Sequence, residues 1–146
     1  MKKDVLISIK GISSIDGQED TIELTTMGNL FINKDGKQII SYKESEATGF
    51  EGTTTMLELM GDSSVILKRR GANRTELYIE KGRRHLCHYD TGAGDIMIGV
   101  FSDSIVNTLG EQGGDVSFKY SLDINSNLAS ENQIYINVKE CQKFER

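Results

Sequence analysis

This chain has no proline, only two cysteines and two histidines, and no apolar run that approaches the ~18 residues of a membrane-spanning helix. Each shortage excludes something. Without proline, the 15 glycines must punctuate the turns. Cys87 and Cys141 stand in no paired motif, which excludes a disulfide scaffold and suits a reducing compartment. Basic charge is also scarce. Seventeen Lys and Arg face 22 Asp and Glu, a net charge of −5, whereas a general nucleic-acid binder is basic overall. Sustained helical periodicity is missing. At Asp103 to Gly110 the spacing of Ile105, Val106 and Leu109 would allow one helical turn, and a strand fits equally well. What remains is 37% hydrophobic and 27% charged, a folded soluble composition rather than a disordered or collagen-like one. Its 146 residues suit one domain, 1–146. The opening Met1-Lys2-Lys3-Asp4 leads straight into Val5-Leu6-Ile7-Ser8-Ile9. That run is too short and regular for a signal peptide, so a cytoplasmic location without membrane association is expected.

Between the glycines lie short runs of period-two alternation, the mark of half-buried strands. Val5, Ile7 and Ile9 begin the series, followed by Ile22 and Leu24 through Leu30, Phe31 and Ile32. Asp35-Gly36 reads as a tight hairpin whose two central residues need positive φ. Ile39 to Tyr42, Thr53 to Leu59, Val65 to Leu67, Leu77 to Ile79, Leu86 to Tyr89 and Ile96 to Phe101 follow. The cleanest alternation is Val116, Phe118, Tyr120, Leu122 and Ile124, and Ile134, Ile136 and Val138 close the chain. The count is nine to eleven strands. So long a meander must hide its two edges. An up-and-down antiparallel β-barrel of about 8–10 strands does so by closure, and a β-sandwich is the rival.

Side-chain parity then predicts the interior. Tyr42 and Glu44 share a face, as do Thr53, Thr55, Leu57 and Leu59, which leaves Glu58 outside. Val65, Leu67 and Arg69 share another. If all these faces point inward, Glu44 and Arg69 meet in the lumen, since an unpaired buried charge is costly. That arrangement needs a three-residue turn or a bulge at Gly61-Asp62, because a two-residue turn would flip Arg69 outward. The alternatives are that both charges lie in water at the barrel ends, or that the core is filled and neutral.

Motifs for catalysis or metal binding are weak. His85 and His88 point to opposite faces of a strand, and His85, Cys87 and Tyr89 share one, short of a zinc ligand set. Gly92-Ala93-Gly94 lacks the following helix and third glycine of a dinucleotide fingerprint and reads as a turn. Asp16, Glu19 and Asp20 read as a solvated early loop, without the ordered ligand set of a calcium loop. Asn73-Arg74-Thr75 fits a glycosylation acceptor by rule only. Cys87 and His88 point apart, which argues against an activated thiol. No cofactor is expected.

The charge is uneven. Residues 68–84 carry seven basic groups against Glu76 and Glu80, a local +5 that leaves −10 for the remainder. Lys68, Arg70, Arg74, Arg83 and Arg84, with Arg69 and Lys81, would form a basic hairpin able to hold an acidic partner or RNA. A solvated hairpin with charged edges is the plainer reading. Tyr78 is the one aromatic within it, a poor stacking platform for nucleic acid.

Several segments together resemble a known family. These are Asp16 to Leu24, Ile40-Ser41-Tyr42-Lys43-Glu44, Thr48-Gly49-Phe50-Glu51-Gly52-Thr53-Thr54-Thr55, Arg70-Gly71, Lys81-Gly82 and Tyr89-Asp90-Thr91. They are similar to the YwiB-like family of uncharacterised bacterial proteins, over about residues 2 to 140. The resemblance implies a single calycin-like, lipocalin-like β-barrel and no established activity. By analogy of fold it implies a small ligand in the lumen. Three functions follow. A non-catalytic binding module would hold a small amphipathic or partly polar ligand, using Tyr42, Glu44, Thr53, Thr55, Arg69 and Tyr89. An interaction protein would have a filled core and dock an acidic partner through its basic hairpin. An enzyme would set lumen residues to acid–base work, which no spacing here supports. Leu30 and Ile32 opposite Ile39 would serve either as a homodimer surface or as core.

Overall fold

The computed structural model describes residues 2–44, 51–71, 74–90 and 94–141. Thr48-Gly49-Phe50 of the family stretch, Asn73 of the acceptor sequence and Gly92-Ala93 of the glycine turn lie outside them. The described residues form ten strands: β1 Lys2–Ile15, β2 Gln18–Ile32, β3 Gln38–Lys43, β4 Thr53–Met60, β5 Ser64–Gly71, β6 Thr75–Glu80, β7 Arg84–Asp90, β8 Asp95–Asn107, β9 Gly113–Ile124 and β10 Asn127–Glu140. Consecutive strands pair antiparallel, and β1 pairs with β10 from Val5↔Glu140 to Ser14↔Glu131. The meander is thus a closed barrel, with both edges consumed by each other. Residues 95–107, including most of the one stretch with a helical alternative, are strand. Among the described residues no helix is long and apolar enough to cross a membrane.

The turns correct two expectations. Asp35-Gly36 is not a two-residue hairpin. Asn33 organises a longer loop, its Oδ1 accepting from the Asp35 and Lys37 N–H groups at 2.9 Å each, and Gly36 has a φ of 84°. Two-residue turns of that kind lie at Asp16-Gly17, where φ is 52° and 79° and Ile15 pairs with Gln18, and at Asn125-Ser126, where φ is 54° and 68° and Ile124 pairs with Asn127. Asp16 is therefore a turn residue, while Glu19 and Asp20 belong to β2 rather than to a loop. Asp35-Gly36 and Asp16-Gly17 both combine Asp and Gly. The β1–β2 pairing runs unbroken from Lys2↔Phe31 to Ile15↔Gln18, whereas β2 and β3 stop pairing at Ile32↔Gln38, and this separates the two cases.

At Gly61-Asp62-Ser63 the turn has three residues, with Met60 opposite Ser64. Side-chain parity survives it, so Leu59 pairs with Val65 and Thr55 with Arg69, all facing the lumen. The lumen is filled at one end by Val5, Ile7, Leu30, Ile40, Leu59, Val65, Ile79, Val100, Val116 and Val138, each at most 1% exposed. Gln38 donates to the Leu109 carbonyl at 2.7 Å there, and Leu109 is buried in the core. Leu30 is thus core and pairs with Ile40, Ile32 packs half-buried against it, and Ile39 sits beside Phe31 on the outer face.

Irregularities interrupt the ladder at several places, among them a register shift in β10 between Leu128 and Ser130. A register shift in β8 between Phe101 and Ser104 buries Ser102, whose hydroxyl donates to the Lys119 carbonyl at 2.5 Å. At the β6–β7 seam the register places Thr75 opposite Tyr89, and further along the Tyr78 N–H donates to Cys87 Sγ at 3.4 Å.

Candidate functional site

The end of the lumen away from Leu109 is built differently. Pairing across five strands places Tyr42, Thr55, Arg69, Thr75 and Tyr89 in one lateral row. Glu44, one residue past β3, is fixed by its backbone N–H donating to the Thr53 carbonyl at 2.8 Å. Its side chain is 2% exposed and lies 3.8 Å from Arg69 Nε, whose side chain is 18% exposed. Thr55 Oγ1 donates to the same Glu44 oxygen. Ile40 precedes Glu44 on the inward row, and Val65 and Leu67 precede Arg69, all buried, so the pair sits on a low-dielectric floor.

Two phenols complete the polar end. Tyr42 is buried and hydrogen-bonded to Glu44 and Thr55. Burial first, and then the Glu44 charge, push its phenol well above the ordinary range. Burial likewise raises Tyr120, against a smaller opposing effect of the Arg69 charge. Both phenols therefore keep their protons at neutral pH and remain hydrogen-bond donors. Phe118 and Tyr120 stack with centroids 6.0 Å apart.

These groups face a cavity of about 110 Å³. Its walls are mainly apolar, among them Ile9, Ile22, Leu24, Leu57, Phe118 and Ile134, with Tyr42, Glu44, Arg69 and Tyr120 supplying the polar part. Gly11 lines it too, and a Cβ there would stand 3.5 Å from Ile134 Cδ1, an ordinary contact. Of the lumen residues expected from sequence, Tyr42, Glu44 and Arg69 line the cavity. Thr53 and Thr55 are buried beside Glu44, and Tyr89 is half-buried near Tyr120. Tyr120 was not singled out by the sequence reading. Its signal was its place in the same alternating row as Phe118, two positions nearer the open end.

The basic hairpin does not present seven charges. Arg69 points into the lumen. Lys68 Nζ lies 2.6 Å from Glu58 Oε2, and Lys37 approaches the other Glu58 oxygen at 3.2 Å. These two lysines hold the Glu58 carboxyl below its ordinary range, Lys68 the more strongly, although Glu58 is itself 8% exposed on the outer face. Arg84 forms a two-point pair with Asp123, at 2.9 and 2.6 Å, across Gly99. Lys81 lies 3.8 Å from Asp62. Arg70, Arg74 and Arg83 are exposed. The expected ridge is thus partly neutralised by acids from other strands, which sequence distance concealed.

Cys87 faces the lumen and is buried, which raises its thiol. His85 Nε2 lies 2.8 Å from Glu80 Oε1, and His88 is exposed. Among the described residues no three His, Cys, Asp or Glu side chains gather as a metal site.

Comparison with known proteins agrees with this fold. The model of a domain of unknown function, DUF1934, matches residues 7–136. The uncharacterised β-barrel protein YwiB of Bacillus subtilis (strain 168) is 23% identical over 120 residues, 82% of each chain. The crystal structure of the ywiB protein from Bacillus subtilis superposes with a TM-score of 0.83 at 19% identity, covering 97% of this chain and 94% of that one. The likeness of structure shows a shared β-barrel fold.

Proposed function

This chain belongs to the YwiB-like family of uncharacterised β-barrel proteins that carries the DUF1934 domain, and we propose that it is a non-catalytic binding module holding a small, partly polar ligand in the open half of its lumen. One observation carries the reading. The barrel is packed solid at one end, yet at the other it leaves a cavity of about 110 Å³ onto which Tyr42, Glu44, Arg69 and Tyr120 converge. Mainly apolar walls with a few convergent polar groups are the usual chemistry of a small-molecule site. The space is well below the ~300 Å³ of an ordinary drug-sized pocket, so the buried part of the ligand is small. Docking of an acidic partner takes second place, because Lys68, Arg69 and Arg84 are already engaged by carboxylates.

Native mass spectrometry of protein purified from its own host, beside the denatured mass, tests the reading. Gly11→Val fills the cavity from a wall position and serves as the control. A small adduct on the native wild type, lost on denaturation and missing from Gly11→Val, supports it. No adduct, or one that persists in the variant, overturns it.

A further inference from the structure

Among the described residues the polar end of the cavity is charge-balanced, and this constrains what it accepts. Glu44 and Arg69 contribute one charge of each sign 3.8 Å apart. Tyr42 and Tyr120 add neutral phenols. Thr55 and Tyr42 already occupy Glu44, so among the described residues lining the cavity no carboxylate awaits a cation. Arg69 likewise already has the Glu44 carboxylate as its counter-charge, so among the described lining residues no cation lacks an opposite charge. A charged ligand would bring an uncompensated charge into a site walled by Ile9, Leu24, Leu57 and Phe118, at a cost that a neutral isostere avoids. The volume sets the size. A dry apolar cavity of ~150 Å³ takes a benzene ring, so one of about 110 Å³ accepts at most a single small ring or a short branched chain.

We propose that the cavity selects an uncharged molecule of about one ring, carrying one hydroxyl or carbonyl that hydrogen-bonds at the Tyr120 end. This rests on the ligand-binding reading and names its ligand class. Tyr120 suits the role because its hydroxyl lies at the cavity's polar end while its ring continues the Phe118 stack. Phenol is the simplest probe with that shape, and benzoate and benzylammonium are its charged counterparts.

Amide chemical-shift titrations of the full chain with the three probes test the proposal. Phenol is expected to shift signals of cavity residues in a saturable way, with both ions at least roughly tenfold weaker, as expected where an ion must enter without a counter-charge. Glu44→Gln should move the preference toward benzoate, and Arg69→Met toward benzylammonium. Should those variants fold poorly, Tyr120→Phe leaves the pair intact. It should weaken phenol by about fivefold, the loss of one ordinary hydrogen bond, and leave benzene unchanged. Benzoate or benzylammonium binding the wild type as well as phenol does, or phenol binding Tyr120→Phe undiminished, overturns the neutral-ligand assignment. A host-derived adduct that Gly11→Val abolishes would then still stand for the binding module. Loss of both results would refute the module as well.

Discussion

Removing one member of the lumen pair should cost more than removing both. Glu44 and Arg69 stand 3.8 Å apart, with side chains 2% and 18% exposed. At the effective dielectric of such a site the gross attraction is about 4 kcal/mol, most of it offset by desolvation. Stranding one buried partner typically costs about 3–5 kcal/mol. Arg69 keeps some contact with solvent, so Glu44→Gln belongs at or below the lower end, at about 2–3 kcal/mol. Arg69→Met leaves the more buried carboxylate, which retains Thr55 and Tyr42 as donors, and should cost about 3 kcal/mol. The double variant should lose only about 1–2 kcal/mol, because no uncompensated charge remains. Urea unfolding followed by circular dichroism at pH 7 reads all four corners of the cycle. A coupling energy of about 3–5 kcal/mol follows from these values. Additivity within about 0.5 kcal/mol would show that the two charges do not support each other, and would remove the ground for a balanced site.

Other predictions follow from the same packing. Phe118 is 1% exposed and lies under Tyr120, so Phe118→Ala should cost about 3–5 kcal/mol in the same unfolding assay, and a loss below 1 kcal/mol would contradict a packed lumen. Glu58 is held below its ordinary value of 4.5 by Lys68 and Lys37, so its contribution is present above that value and is lost as pH falls through the lower folded value. Glu58→Gln should therefore flatten the decline of stability from about pH 5 downward, and an unchanged slope would dismiss the two lysine contacts. Cys87 is buried with a raised thiol while Cys141 is partly exposed, so a thiol reagent should modify one cysteine in the native protein and both in urea. Rapid native reaction of both would mean that the β6–β7 seam opens readily.

Much of this was legible in the chain because a barrel translates sequence parity directly into inside and outside. The alternations through Tyr42, Thr55, Leu57, Leu67 and Phe118 named the lumen face, and the three-residue condition at Gly61-Asp62 stated what Arg69 needed to reach it. The residue types at Asp35-Gly36 suggest a tight hairpin, and Asp16-Gly17 offers the same types. The Asn33 side chain, by capturing two N–H groups, decides for the longer loop at the first of them. Tyr120 was missed as a site residue because parity gives direction but not depth along the barrel axis.

Strand class, an approximate range of strand number and the candidate inward faces with their charges were therefore written in residue order, since each depends on neighbours one or two positions apart. Closure through β1 and β10, the plugging of one end near Leu109, the neutralisation of Lys68 and Arg84 by Glu58 and Asp123, and the cavity beside Arg69 belong to the tertiary structure. Each brings together strands distant in sequence, and the volume left inside a barrel depends on how all the inward side chains fill it together.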